Sequence, residues 1–296
     1  MVGHRNASYA WAAASDTSPA ISQRGDGLAG SLGEGGGEGV ARGRPSDVTV
    51  VFLHGWALAQ HSYEKALEGV AALGCEVYAP AMPGFGSTAP LPRRSLSLGG
   101  YAEWVAEFLT VVGLDRPILA VGHSFGGAVA VRLAHDSDGS VGSLVLVDSV
   151  GSRAWRPYGT SARPMAERPL WDWGARLPSD LYVARGALRL MSAVMEDAVA
   201  NLVGHPLALW RAGLLARSAD VVSELAELHR RGLPVSVLWG DRDSLLPRAC
   251  FDELCTAAGS QGELVPGRHS WLLADPDAFA VAMRAPVEAF PRAGAH

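Results

Sequence analysis

The chain has 296 residues, of which 48% are hydrophobic and 19% charged. That balance describes a folded globular protein and excludes a disordered one, and the length suffices for one large domain or one domain carrying an insertion. The formal net charge of −5 argues against a general affinity for nucleic acid or for an anionic membrane surface.

Cysteine usage and the N-terminus bear on compartment. Three cysteines, Cys75, Cys250 and Cys255, are too sparse and odd in number for a disulfide framework and suit a reducing environment. No stretch is long and apolar enough to span a bilayer. The run Ala10-Trp11-Ala12-Ala13-Ala14 is interrupted at Ser15 and Asp16, too soon for the apolar part of a secretory signal. The expectation is a cytoplasmic protein with no stable membrane anchor. Nothing in the pattern fixes an oligomeric state.

In chain order, residues 7–14 read as a short strand. Residues 15–46 are rich in Gly and Ser and read as a flexible segment. Their run Gly33-Glu34-Gly35-Gly36-Gly37 looks like a phosphate loop but lacks the following Gly-Lys-Ser/Thr and the strand-to-helix setting. From Val48 the pattern changes. Val48 to Leu53, Val77 to Met82, Ile118 to Val121 and Leu144 to Val147 are apolar runs of the kind a strand covered on both faces shows. Helical spacing separates them at 62–73, 100–113 and 125–135, with Trp104, Val105, Phe108, Leu109 and Val112 on one face of the second. Residues 151–230 break the alternation: prolines, then helical stretches near 180–203, 206–217 and 219–230, with no β-branched run. Alternation resumes with a strand at Val235 to Trp239, a helix near 248–258, a strand near 262–265 and a helix near 276–290. Alternating strands and helices with short connections predict a mostly parallel sheet flanked by helices. The predicted organisation is an N-terminal segment 1–46, a core made of 47–150 and 231–296, and an inserted helical cap at 151–230.

The chemistry-bearing motif is Gly122-His123-Ser124-Phe125-Gly126. It fits G-x-S-x-G, in which a serine sits on a strained turn between a strand and a helix. Here the apolar run Ile118 to Val121 precedes it and the helical Ala128 to Leu133 follows, which is the context the motif requires. A serine hydroxyl needs a base. His269, in Gly267-Arg268-His269-Ser270-Trp271, lies just after a short strand, whereas His205 and His229 fall within the helical insertion and His296 is terminal. An acid must orient that base. Asp241 and Asp243 both follow the strand ending at Trp239, and one or both could simply shape the turn. Asp148, directly after the strand Leu144 to Val147, is a further candidate. No H-E-x-x-H or Cys/His cluster suggests a metal, and no cofactor is expected.

Together these residues resemble the α/β-hydrolase superfamily in its capped serine-hydrolase branch, over roughly residues 48–290. His54-Gly55-Trp56 is similar to that family's oxyanion loop, Pro83-Gly84-Phe85-Gly86-Ser87 to its P-G-x-G-x-S turn, Gly240-Asp241-Arg242-Asp243 to its acid turn, and Gly267-Arg268-His269 to its G-x-H motif. The resemblance implies a Ser124–His269–Asp243 triad, with Asp243 favoured over Asp241, and an oxyanion hole from the backbone N–H groups of Phe125 and Trp56. It implies acyl chemistry, since relatives that open epoxides carry Asp where Ser124 stands. The expected partner is a small to medium apolar ester. Other acyl reactions of the same triad (C–C bond, thioester or lactone hydrolysis, perhydrolysis, acyl transfer) and a non-catalytic ligand-binding role are the alternatives. In the cap, the Trp and Tyr residues with Leu188, Leu190, Met191 and Met195 are expected to wall an apolar pocket.

Overall fold

The computed structural model describes residues 9–12, 22–24, 47–137, 139–154 and 187–291. Eight strands form one sheet: β1 (Tyr9–Ala12), β2 (Ser22–Arg24), β3 (Thr49–Leu53), β4 (Glu76–Pro80), β5 (Ile118–His123), β6 (Val141–Val147), β7 (Val235–Gly240) and β8 (Glu263–Val265), in the spatial order 2-1-4-3-5-6-7-8. Strands β3 to β8 pair parallel. β1 runs antiparallel to both β2 and β4. Strand β2 corrects the sequence reading, which placed Ser22–Arg24 inside a flexible loop.

The helices are α1 (Glu64–Ala71), α2 (Leu98–Val111), α3 (Phe125–Asp136), α4 (Ala187–Gly204), α5 (Pro206–Ser218), α6 (Val222–Arg230), α7 (Arg248–Ala258), α8 (Trp271–Ala274) and α9 (Pro276–Glu288). Among the described residues, no helix is long and apolar enough to cross a membrane.

Successive strand residues point to opposite faces, and each face here meets its own helical layer. Val51 and Leu53 of β3, with Ile118 and Ala120 of β5, pack with Trp104, Val105 and Phe108 of α2 and Val129 of α3. Val50 and Phe52, with Leu119 and Val121, pack with Leu67 and Val70 of α1 and Phe279 and Met283 of α9. Every residue of β3 and β5 is buried, which is why both read as unbroken apolar runs. Each fully buried Val, Leu or Phe contributes about 1.5–3 kcal/mol. These two strands are therefore the rigid frame on which the residues beyond their carboxyl ends are mounted.

The segment between β6 and β7 is mostly helical over residues 187–230, whereas its residues 148–154 are not. Its last helix, α6, packs against α3 and α7 on a flank of the sheet, with Leu225 and Leu228 in the core. Helix α4 packs instead against the short 3-10 turn Gln60–Tyr63 that follows β3. Of the expected pocket wall, Met195 and Trp210 are 47% and 51% exposed, too open to line a closed cavity. Trp155, Tyr158, Trp171, Trp173 and Tyr182, and the side chains of Leu188, Leu190 and Met191, lie outside the described residues.

Candidate active site

Ser124 stands between β5 and α3 with φ 52° and ψ −115°, a left-handed backbone that costs a non-glycine residue about 1–3 kcal/mol. The glycines around it make the turn sterically possible. A Cβ on Gly122 would lie 2.4 Å from the Gly126 carbonyl oxygen, and one on Gly126 would lie 2.1 Å from that of Leu53. The turn is tied down from the neighbouring strand by the Ser124 N–H donating to the Val147 carbonyl at 2.9 Å.

His269 follows β8 in the loop before α8. Its Nε2 lies 3.0 Å from Ser124 Oγ and its Nδ1 2.8 Å from Asp243 Oδ2. A carboxylate only accepts, so Nδ1 carries the proton and donates to Asp243, leaving Nε2 to accept from the Ser124 hydroxyl. The other oxygen of Asp243 accepts from the backbone N–H groups of Leu245 (2.7 Å) and Leu246 (2.9 Å). Four donors and acceptors thus run in one line from a backbone turn to a serine hydroxyl, almost wholly screened from solvent: Ser124 is 8% and His269 5% exposed.

The two other acids are placed differently. Asp241 is exposed and accepts from the Gly267 N–H at 2.8 Å, so it fastens the β7 turn to the loop carrying His269. Asp148, at φ 41°, is buried; Oδ1 accepts from the Gly240 N–H at 2.8 Å and Oδ2 from Trp271 Nε1 at 2.6 Å. Burial, then the adjacent Asp243 charge, hold its carboxyl well above the usual range. The nearest ligand atoms of Asp148, Asp243 and His269 lie within 4.8 Å of one another. Those side chains are already engaged with one another and with Gly240 and Trp271, which describes a hydrogen-bonded array.

Phe125 and Trp56 occupy matching positions. Leu53 of β3 is paired with Gly122 of β5, and Trp56 and Phe125 each lie three residues further on. Phe125 opens α3, where the first N–H groups have no intrahelical acceptor and the helix dipole favours negative charge. The Trp56 ring is anchored by Nε1 donating to the Leu209 carbonyl of α5 at 2.8 Å.

Beneath the array lies a second network that the sequence reading missed. Tyr63 Oη accepts from the Gly55 N–H at 3.0 Å and lies 2.8 Å from His123 Nδ1. His123 Nε2 lies 3.0 Å from the His269 carbonyl oxygen. A carbonyl cannot donate, so Nε2 carries the proton and the Tyr63 hydroxyl donates to Nδ1. Burial, then the neighbouring His269, lower the His123 pKa to about 3, so the ring stays neutral and this tautomer is fixed. His54 is likewise buried, its pKa lowered to about 4 by burial. It donates from Nδ1 to the Gly55 carbonyl (2.9 Å) and accepts at Nε2 from the Met82 N–H (2.9 Å). The partners of Tyr63 lie 8 and 60 residues away, and no local pattern marks them.

A surface groove of about 630 Å³ between α6 and α7, lined by residues such as His229 and Glu253, shares no residue with the Ser124 array.

A parallel sheet with Ser, His and Asp joined beyond its carboxyl edge defines a hydrolase of the α/β class. The chain belongs to the alpha/beta hydrolase family, whose model matches residues 50–282. It is 30% identical over 224 residues to a pimeloyl-[acyl-carrier protein] methyl ester esterase of Aromatoleum aromaticum, covering 70% of this chain and 84% of that one. Among solved structures it is similar to an esterase from Thermogutta terrifontis (TM-score 0.62, 21% identity, 82% of this chain and 90% of that one). It is also similar to a bromoperoxidase from Bacillus anthracis (TM-score 0.66, 16% identity, 82% and 93%). At these identities the two structures speak for the fold alone.

Proposed function

We propose that the protein is a serine hydrolase that cleaves carboxylic esters of small to medium apolar substrates through an acyl-enzyme. The observation that carries this reading is the unbroken Ser124–His269–Asp243 hydrogen-bond chain at 3.0 and 2.8 Å. His269 takes the Ser124 proton as Oγ attacks the ester carbonyl carbon. The tetrahedral oxyanion is held by the N–H groups of Phe125 and Trp56, each such donor contributing about 3 kcal/mol to the transition state. Collapse expels the alcohol, which takes the proton from His269. Water, deprotonated by the same ring, then attacks the acyl-enzyme, and Ser124 leaves with its proton restored. Asp243 holds the imidazole in the required tautomer and stabilises its cation. The chemistry uses side chains, backbone and water alone.

A relative at 30% identity that is named a methyl ester esterase supports an ester as the bond cleaved. The core is assigned to 47–150 and 231–296 and the cap to 151–230, with α6 serving the core face of that insertion. Three free, buried cysteines favour a reducing, cytoplasmic setting.

The test is labelling with a fluorophosphonate probe, mapped by mass spectrometry, followed by turnover of p-nitrophenyl esters of rising chain length beside thioester, lactone and peracid assays. The expected result is a single adduct on Ser124, ester turnover that leads the panel, and loss of both in Ser124→Ala. A wild-type protein that neither labels nor turns over any ester overturns the reading.

A further inference from the structure

Two buried polar residues of α4 reach out of the inserted helix into the loop that carries Trp56. Asp197 Oδ2 accepts three hydrogen bonds there: from the Ala59 N–H at 3.0 Å, the Ser62 N–H at 3.1 Å and the Ser62 hydroxyl at 2.6 Å. One helical turn later, Asn201 donates from Nδ2 to the Ala57 carbonyl at 3.0 Å and accepts at Oδ1 from the Gly86 N–H at 2.7 Å. Asn201 is completely buried and Asp197 nearly so. Residues four apart share one face of a helix, so the two act on the same stretch of chain.

That stretch is under strain. Ala57, the residue after Trp56, has φ 68°, a left-handed conformation that an L-residue adopts only when its surroundings impose it. The bond from Asn201 falls on the carbonyl of this very residue, and the Asp197 bonds fix the chain two and five residues further on. A buried amide and a buried carboxylate, with four of their five hydrogen bonds made to a loop 135 to 144 residues away and the fifth to Gly86, do more than pack a helix: apolar side chains would pack α4 without the desolvation cost.

We propose that Asp197 and Asn201 are positioning residues that hold the Trp56–Ala57 turn in the shape that aims the Trp56 N–H at the oxyanion. The inference rests on the serine-hydrolase reading above, and deepens it: the inserted helix completes the catalytic geometry of the core. Neither residue touches the reacting atoms. Both act through the backbone of the oxyanion loop, and a donor aimed at charge that develops only in the transition state affects turnover more than substrate binding.

The test uses the full chain and p-nitrophenyl butyrate, with fluorophosphonate labelling of wild type as the reference. If wild type shows neither labelling nor turnover, the hydrolase reading fails, and this inference with it. With an active wild type, Asn201→Ala is expected to lower kcat about tenfold or more while KM stays within about twofold. Adding Ala57→Gly, which makes the left-handed conformation inexpensive, restores part of the lost kcat. Asp197→Ala repeats the kcat defect and Asp197→Asn, which keeps an accepting oxygen, recovers it. This pair provides the test should Asn201→Ala not fold. A loss expressed wholly in KM, unchanged kinetics in Asn201→Ala and Asp197→Ala, or a defect that persists in full in the double variant overturns the proposal and leaves the hydrolase reading intact.

Discussion

At the scale of single residues, the site is a set of protons whose positions are decided by what each neighbour can accept. Asp243 spends one oxygen on two backbone N–H groups and the other on His269. That leaves no rotameric freedom in the acid, and so none in the imidazole. Asp148, whose carboxyl burial holds well above the usual range, secures Gly240 and Trp271, and its loss exposes the cost of unmet donors. Asp148→Ala leaves two buried N–H groups unpaired at about 1–3 kcal/mol each, so a drop of about 2–6 kcal/mol in urea-unfolding free energy is expected. A drop below 1 kcal/mol would mean that water satisfies those donors. Tyr63→Phe keeps the ring and removes the hydroxyl between Gly55 and His123. It is expected to destabilise by about 1–3 kcal/mol by the same reasoning, read in the same assay. Unchanged stability would show that the hydroxyl bridges nothing of consequence.

At the scale of elements, legibility followed locality. Ser124 and His269 stand in short motifs next to strand ends, which marked them as candidates, whereas Asp243 was separated from Asp241 and Asp148 only by the family resemblance; Ile118 to Val121 declared a strand because both faces of β5 are covered. The start of β6 escaped notice because Gly142 and Ser143 break its apolar run. Strand β2 escaped because Ser22-Gln23-Arg24 has no apolar alternation; it is a strand through backbone pairing with β1. Tyr63, Asp197 and Asn201 had no local signal, since their partners lie from 8 to 144 residues away and follow no sequence spacing. The glycine elbow is the sharpest element-level case. Gly126→Ala places a Cβ against the β3 backbone and is expected to cost about 3 kcal/mol or more, or to prevent folding. Gly113→Ala, also at positive φ but facing open space, is expected to cost only about 1–2 kcal/mol. Equal losses by thermal unfolding would contradict the steric account.

For the whole molecule, the buried histidines set the acid limit. His54 and His123 have folded pKa values lowered to about 4 and about 3, against 6.5 when free. The unfolded chain therefore binds their protons first as pH falls. Their contribution is complete above pH 6.5 and is lost toward pH 4 and 3, at about 1.4 kcal/mol per pH unit for each ring. Asp148 works in the opposite sense. Its folded carboxyl keeps a proton that the unfolded one releases, so its contribution is lost as pH rises past 3.8. Two histidines outweigh one carboxyl, and unfolding free energy is expected to fall between pH 6.5 and 4. Urea titrations across that range check this, and a flat or rising profile would contradict it.

The proposed chemistry requires Ser124 and His269 to act as one unit rather than as two independent aids. The most direct measurement is kcat/KM for an ester substrate in Ser124→Ala, His269→Ala and the double variant. Each single substitution is expected to lose about 10⁴-fold or more, with the double no worse than the more damaging single. Losses that multiply in the double variant, or a His269→Ala protein that retains most of its activity, would contradict the claim.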